Sequence, residues 1–114
     1  MGRILYNVTC SVSPEIHEEW VHWMKHEHIP EVMQTNMFDE FKLCRIKEYE
    51  ENGLTYAIQY IAPSREMFDR YNSEFAPTLQ QKHRLKYGES VLAFRTVLEI
   101  MDESQTTFPN LSAN

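Results

Sequence analysis

The chain has 114 residues, of which 42% are hydrophobic and 12% aromatic, a composition typical of one globular domain with one core. The net charge of −6 arises from 17 acidic and 11 basic residues without a Lys/Arg cluster, so we expect neither a nucleic-acid nor a membrane partner. No apolar run approaches the roughly 20 residues that span a bilayer, which predicts a soluble protein.

The N-terminal stretch predicts a β-strand over residues 3–12, because apolar and polar positions alternate there with a period of two. This alternation differs from the continuous apolar segment of a secretory signal peptide, and we therefore expect a cytoplasmic protein. Cys10 lies in this strand and Cys44 in the next. We expect both to be small buried side chains with reduced thiols.

A first helix is predicted directly after this strand. Ser13 is a suitable N-cap, and Pro14 fits the first helical position, where its missing N–H costs nothing. Pro30 disfavours helical dihedrals in the residue before it. We therefore predict that the helix ends at about Glu27 or His28 and that a short turn follows.

The next two predicted strands cover residues 38–49 and 54–61. Asn52-Gly53 lies between them, and this dipeptide is a strong signal for a tight hairpin turn. The two strands should therefore be antiparallel neighbours.

A second helix and a last strand complete the predicted elements. Ser64 should cap the helix, Ala76-Pro77 should kink it, and Gly88 should end it. Alternating apolar positions over residues 90–101 then predict a strand. Residues 102–114 are polar and aperiodic, and we expect a flexible tail.

The predicted order β-α-β-β-α-β corresponds to a ferredoxin-like α+β domain over residues 1–101, with a four-stranded antiparallel sheet and both helices on one face. The other sheet face would remain uncovered, and we predict that it forms a homodimer with a second copy. From the alternation we place on it Leu5, Asn7, Thr9, Ala93, Arg95 and Val97, with Arg45 or Gln59 as further candidates. These last two and Arg95 could equally line a ligand cavity.

A helical wheel places Trp20, Trp23 and Met24 on the buried face of the first helix, with Glu27 in the middle of that face. A carboxylate there must be paired or neutralised, which is typical of a functional site. The alternative is that Glu27 bends out to water or pairs with a lysine. His28, at the predicted helix end, should be stabilised as an imidazolium by the helix dipole, and is either a partly exposed cap or a participant in proton transfer.

The remaining histidines have less specific patterns. His22 and His26 share the solvent face at i, i+4 spacing, but no third ligand is evident, so we predict at most adventitious nickel or zinc binding. His83 shares the inward side of Leu79 and is either a core histidine or a ligand contact. The chain has three glycines and no phosphate-binding loop or Ser/His/Asp order, so no metal, nucleotide or other cofactor is predicted.

Five blocks together resemble a family of short bacterial proteins of unassigned function: ILYNVTCSV, W..WM..EHIPEVM, TYAIQY, FAPTLQQKHRLKYG and VLAFRTVLE. That family is similar to the dimeric α+β barrel superfamily, which includes cofactor-independent monooxygenases, isomerases, haem-binding proteins and ligand-sensing domains. The resemblance implies a small-molecule cavity between sheet and helices. Its blocks include Trp23, Glu27, His28, Pro30 and His83.

Two functional hypotheses follow. The first is a homodimer that binds a small molecule at Tyr6, Trp20, Trp23, Glu27, His28 and His83. The second is a cofactor-independent enzyme, monooxygenase-like or isomerase-like, in which Glu27 or His28 transfers a proton. No nucleophile paired with a base identifies a reaction, so the sequence leaves the choice open.

Overall fold

The four strands form one antiparallel sheet in the order β2-β3-β1-β4. The computed structural model describes residues 2–47 and 54–104. The strands are β1 (Ile4–Val12), β2 (Glu40–Arg45), β3 (Leu54–Ala62) and β4 (Val91–Glu99). This topology confirms the predicted ferredoxin-like fold and the antiparallel pairing of β2 with β3.

The first helical arm, residues 14–33, is longer than predicted. It consists of a 3₁₀ turn (Pro14–Ile16), α1 (His17–Trp23), a π-helical turn (Met24–His28) and α2 (Ile29–Met33). The prediction that the helix ends at Glu27 or His28 is wrong. The N–H of Ile29 bonds to the carbonyl of Met24, five residues back, and this wide turn accommodates Pro30, which has no N–H to donate.

The second helical arm, residues 65–87, repeats this arrangement. It consists of α3 (Arg65–Arg70), a π-helical turn (Tyr71–Phe75) and α4 (Ala76–Tyr87). The N–H of Ala76 bonds to the carbonyl of Tyr71, and Pro77 follows, so the predicted interruption is a π-helical turn.

Both predicted ends of this arm are confirmed. The Ser64 hydroxyl accepts the N–H of Met67 at 3.2 Å, and Gly88 ends the helix with a positive φ of 55°.

The strand register corrects the predicted faces of β4. Arg95 lies opposite Val8 and Ala93 opposite Cys10, and directly opposed residues share a face of the sheet. Because Cys10 is buried beneath the helical arms, the side chains of Ala93, Arg95 and Val97 point to the helix side, and their predicted placement on the open face is wrong. Both faces of β4 carry apolar residues, so alternation alone could not orient the strand.

The open face of the sheet combines a polar centre with an apolar margin. Asn7 donates to the Thr9 hydroxyl at 2.9 Å and accepts from the Gln59 amide at 3.3 Å, which confirms Gln59 on this face. The margin consists of β4 side chains that are 45–65% exposed: Leu92, Phe94 and Leu98.

The structure also places Arg45 and the two cysteines. Arg45 lies opposite Tyr56, which lies opposite Cys10, so Arg45 belongs to the helix side and its predicted place on the open face is wrong. Both thiols are free, and Cys10 is buried as predicted, but Cys44 on edge strand β2 is exposed.

Strand β2 ends earlier than predicted, at Arg45. Residues 48–49, the Asn52-Gly53 turn and tail residues 105–114 lie outside the described residues.

The core lies between the sheet and the two helical arms and is rich in aromatic rings. Tyr6 contacts the rings of Phe38, Tyr60, Phe68 and Tyr71 at centroid distances of 5.2–6.2 Å. Within the described ranges, no helix has both the length and the apolar character needed to cross a bilayer.

Candidate functional site

A cavity of about 40 Å³ lies between the helix side of the sheet and the two helical arms. Strands β1, β3 and β4 form its floor, and residues of both arms form its roof. Its walls are mainly apolar and aromatic. The polar side chains that line it are Tyr6, His28, Tyr60, Tyr71, Gln80, His83 and Arg95.

The π-helical turn determines which residue of the first arm reaches this cavity. In a continuous α-helix Glu27 would lie on the buried face, but the π-helical turn contains one extra residue and rotates the chain that follows. His28 consequently lines the cavity, whereas Glu27 is exposed. The prediction of Glu27 on the apolar face is therefore wrong, and its outward position arises from the π-helical turn.

His28 is desolvated rather than charged. Its Nδ1 is buried and has no hydrogen-bond partner among the described residues. Burial, followed by the nearby His83 ring, lowers the pKa of His28 to about 4. The predicted imidazolium is therefore wrong: the helix continues past His28, so no helix C-terminus is present to stabilise a positive charge.

His83 is held in one tautomer by a bond between the two helical arms. The indole Nε1–H of Trp20 donates to Nε2 of His83 at 3.0 Å, so in the neutral ring the proton lies on Nδ1. Burial, followed by the charge of Arg95, lowers the pKa of His83 to about 4. The two imidazoles lie 5.8 Å apart and are both neutral near pH 7.

Three tyrosines present hydroxyl groups without protein partners. Tyr6, Tyr60 and Tyr71 line the cavity, and none of their hydroxyls bonds to a described residue. Burial raises the pKa of Tyr60 and Tyr71 well above the ordinary value, so both phenols remain protonated. They are available as hydrogen-bond donors.

Arg95 carries the positive charge at the mouth of the cavity. Its side chain is exposed, yet it also lines the cavity, and it forms no ion pair with any described residue. Among the described residues that line the cavity, none is a carboxylate. The site therefore combines several donors and one cation with neutral imidazoles.

The two tryptophans lie behind the histidines, outside the cavity lining. Trp20 is fully buried, and Trp23 stacks on the His28 ring at 5.0 Å and contacts the His83 ring at 5.8 Å. Of the predicted site residues, the structure thus brings together Tyr6, His28 and His83 and leaves Glu27 outside.

Three of the polar lining residues, Tyr60, Tyr71 and Gln80, were not predicted as site residues from the sequence. The alternation of β3 could have identified Tyr60 as inward-facing, but locating the other two requires the π-helical turn of the second arm.

The chain belongs to the DUF4286 family. The family model, described as a domain of unknown function, matches residues 3–101. Among curated proteins, no sequence match to the chain is found.

Solved structures with low sequence identity share the fold of this DUF4286 domain. A dimeric ferredoxin-like protein from an uncultured marine organism is 10% identical, with a TM-score of 0.60, covering 91% of this chain and 100% of that chain. A Bacillus cereus protein assigned as an antibiotic biosynthesis monooxygenase is 11% identical, with a TM-score of 0.65, covering 92% and 99%. A mutant of SnoaB, a cofactor-independent oxygenase from Streptomyces nogalater, is 11% identical, with a TM-score of 0.60, covering 96% and 99%. These likenesses establish the fold alone.

The histidine pair on the solvent side of the DUF4286 domain is separate from the cavity. The rings of His22 and His26 lie 4.3 Å apart on the exposed face of the first arm. In the described part of the chain, no three His, Cys, Asp or Glu side chains converge as metal ligands would.

Proposed function

We propose that this DUF4286 domain is a homodimeric small-molecule-binding protein of the bacterial cytoplasm, with its ligand site at the cavity lined by His28 and His83. The observation that carries this proposal is the cavity itself. It gathers unpaired polar groups in otherwise aromatic surroundings, although such groups are normally satisfied inside proteins. A bound molecule would supply the missing partners.

The buried Nδ1 of His28 is the sharpest of these groups. An unsatisfied buried polar atom costs about 1–3 kcal/mol. The hydroxyls of Tyr6, Tyr60 and Tyr71 line the same cavity and form no hydrogen bond with a described residue. A structural core could satisfy or omit such groups. Their retention around one cavity supports ligand binding.

The open sheet face supports the homodimer. Phe94 is 65% exposed and Leu92 is 57% exposed, and both are on the same face of β4 as Leu98. An apolar margin of this kind is typical of a protein interface. One structural neighbour is described as a dimeric ferredoxin-like protein, which is consistent with two sheets packing face to face.

The free thiol of Cys44 supports a reducing compartment. Cys44 is exposed on β2, where an oxidising environment would favour its modification or its pairing between molecules. We therefore place the protein in the cytoplasm.

A cofactor-independent enzyme, monooxygenase-like or isomerase-like, is the second candidate. From the sequence, proton transfer was assigned to Glu27 or His28. Glu27 is exposed outside the cavity, so in this candidate the role falls to His28, whose neutral ring lines the cavity and could accept a proton. A structural neighbour described as a cofactor-independent oxygenase favours this candidate at the level of the fold.

The experiment that tests both candidates uses the two indole N–H signals in a ¹H–¹⁵N NMR spectrum. The chain has only two tryptophans, and both rings lie against His83, so ligand entry should shift their signals. We would screen fragments of up to about ten heavy atoms on the ¹⁵N-labelled protein. The His28→Phe variant tests the site, and His22→Phe on the solvent face is its control.

We expect fragments that shift the indole signals of the wild type and of His22→Phe, but not those of His28→Phe. Fragments recovered unchanged would support the binding protein, whereas conversion that disappears in His28→Gln would support the enzyme. Absence of any indole shift across the screen would overturn the small-molecule function.

A further inference from the structure

We propose that the ligand of this cavity is a compact planar organic anion, a carboxylate or an enolate, whose charged oxygen binds Arg95. This inference rests on the proposed function and adds the chemical class of the ligand. It follows from three features of the site: the balance of donors and acceptors, the free charge of Arg95 and the shape of the walls.

The lining side chains favour a ligand rich in acceptors. The hydroxyls of Tyr6, Tyr60 and Tyr71 and the Nδ1–H of His83 can donate. In the described part of the chain, no lining side chain is a carboxylate. A cationic ligand would find no negative group here. An anionic oxygen would find several donors and one guanidinium.

Arg95 differs from the paired arginines of this acidic chain. Arg3 contacts Glu103 at 3.0 Å, Arg65 contacts Asp69 at 3.1 Å and Arg70 contacts Glu74 at 3.2 Å. Arg95 has no such carboxylate among the described residues, although the chain carries a net charge of −6. A planar guanidinium without an internal partner is suited to bind a carboxylate through two parallel hydrogen bonds.

The electrostatic effect of Arg95 reaches the interior of the cavity. Its charge contributes to lowering the pKa of His28 and His83 and acts on the phenol of Tyr71 in the same direction. An anion near Arg95 would therefore be held by a positive potential that reaches His28, His83 and Tyr71.

The size and shape of the cavity restrict the rest of the molecule. About 40 Å³ accommodates one or two water-sized groups, far less than the several hundred Å³ of a site for a drug-sized ligand. The rings of Tyr6 and Tyr60 contact each other on neighbouring strands, with centroids 6.1 Å apart, and form one aromatic surface in the floor. Only the edge of a planar molecule fits inside against this surface, and the rest of the molecule lies at the mouth, where its charge meets Arg95.

The test compares benzoate with benzamide, which has nearly the same shape but no charge. Dissociation constants would be measured from the indole N–H shifts of the wild type, of Arg95→Gln and of Arg84→Gln. Arg84 lies on the second arm and, like Arg95 on β4, lowers the pKa of His83. Because Arg84 does not line the cavity, its variant controls for unspecific charge effects. Arg95 is exposed, so its replacement should leave the fold intact.

We expect benzoate to bind at least about tenfold more tightly than benzamide in the wild type and in Arg84→Gln. In Arg95→Gln this preference should fall to about one. The assignment of Arg95 would be overturned if Arg95→Gln kept the preference for benzoate, or if both arginine variants lost this preference equally.

Tighter binding of benzamide, or a fragment screen that yields only neutral ligands, would overturn the anionic class and leave the small-molecule function in place. A screen without any ligand would instead overturn the proposed function itself.

Discussion

At the scale of single residues, the main feature is a pair of neutral histidines beside a cation. Burial is the largest cause of the lowered pKa of both His28 and His83, and the charge of Arg95 acts on both rings. His28 also faces Glu31, which raises its pKa, and Lys82, which lowers it. Glu31 and Lys82 act on the pKa of His28 in opposite directions and pair with each other at 2.7 Å.

This arrangement predicts a specific loss of stability in mild acid. The pKa of His28 is about 4 in the folded protein and about 6.5 in the unfolded chain, so protons bind to the unfolded state first as the pH falls. Proton binding to His28 therefore has little effect on the free energy of unfolding above pH 6.5. It lowers this free energy progressively between pH 6.5 and 4. The free energy of unfolding should be measured with urea at pH 7.5 and at pH 5. Its decrease between these pH values should be about 1–2 kcal/mol smaller in His28→Gln than in the wild type.

The exposed His22 provides the matched control for this measurement. His22→Gln replaces an exposed histidine of the same arm and is measured in parallel. A pH dependence that is the same in His28→Gln and the wild type would show that His28 titrates normally in the folded protein.

The residues of the site were only partly predictable from the sequence. Tyr6 and His83 follow from the strand alternation and from the position of His83 one turn after Leu79. The neutral state of His28 does not, because it depends on burial by the second arm and on the continuation of the helix beyond it. Tertiary contacts of this kind leave no local pattern.

At the scale of the elements, the first π-helical turn explains the largest error of the sequence-based prediction, the inward placement of Glu27. A regular wheel of 100° per residue places Glu27 inward, and the wheel is correct for Trp20, Trp23 and Met24, which precede or begin the first π-helical turn. The sequence signal was Pro30, which we interpreted as a helix end. The same proline is compatible with a wide turn in a helix that continues.

Glu27→Met tests this local geometry. Because Glu27 is exposed, the substitution should change the free energy of unfolding by less than about 0.5 kcal/mol. Ile29→Ala, at a side chain that is only 1% exposed, should cost about 2–4 kcal/mol. Both are measured by urea unfolding at pH 7.5.

A stabilisation of more than about 1 kcal/mol by Glu27→Met would indicate a buried carboxylate and thus a regular α-helical register. That result would contradict the π-helical turn and would move Glu27 back toward the cavity.

At the scale of the whole molecule, the fold was predictable because its signals are local and consistent with one another. Alternation identified β1 and β4, Ser64 and Gly88 bounded the second arm, and the order of elements limited the topology. The orientation of β4 was not predictable, because both its faces contain apolar residues. Only its register against β1 decides that Phe94 faces outward and Arg95 faces the cavity.

The proposed homodimer leads to a prediction at this scale. Phe94→Asp places a charge in the apolar margin of the open face and should convert the dimer to a monomer in native mass spectrometry and light scattering. Leu85→Asp is the control, since Leu85 is 77% exposed on the second arm, away from the sheet face.

A wild-type protein that is monomeric at micromolar concentrations, or a Phe94→Asp variant that stays dimeric, would contradict the sheet-to-sheet interface. Cavity binding and assembly can thus be tested independently, because Phe94 and His28 lie on opposite faces of the sheet.

The π-helical turns also affect how relatives should be compared with this chain. Each turn contains one residue more than a regular helix needs, so a family member without it could be one residue shorter in each arm and still surround the same cavity. An alignment that forbids gaps within helices would then pair such a member's cavity residue with Glu27 instead of His28. Single-residue gaps allowed within Met24–His28 and Tyr71–Phe75 would restore the correct equivalence.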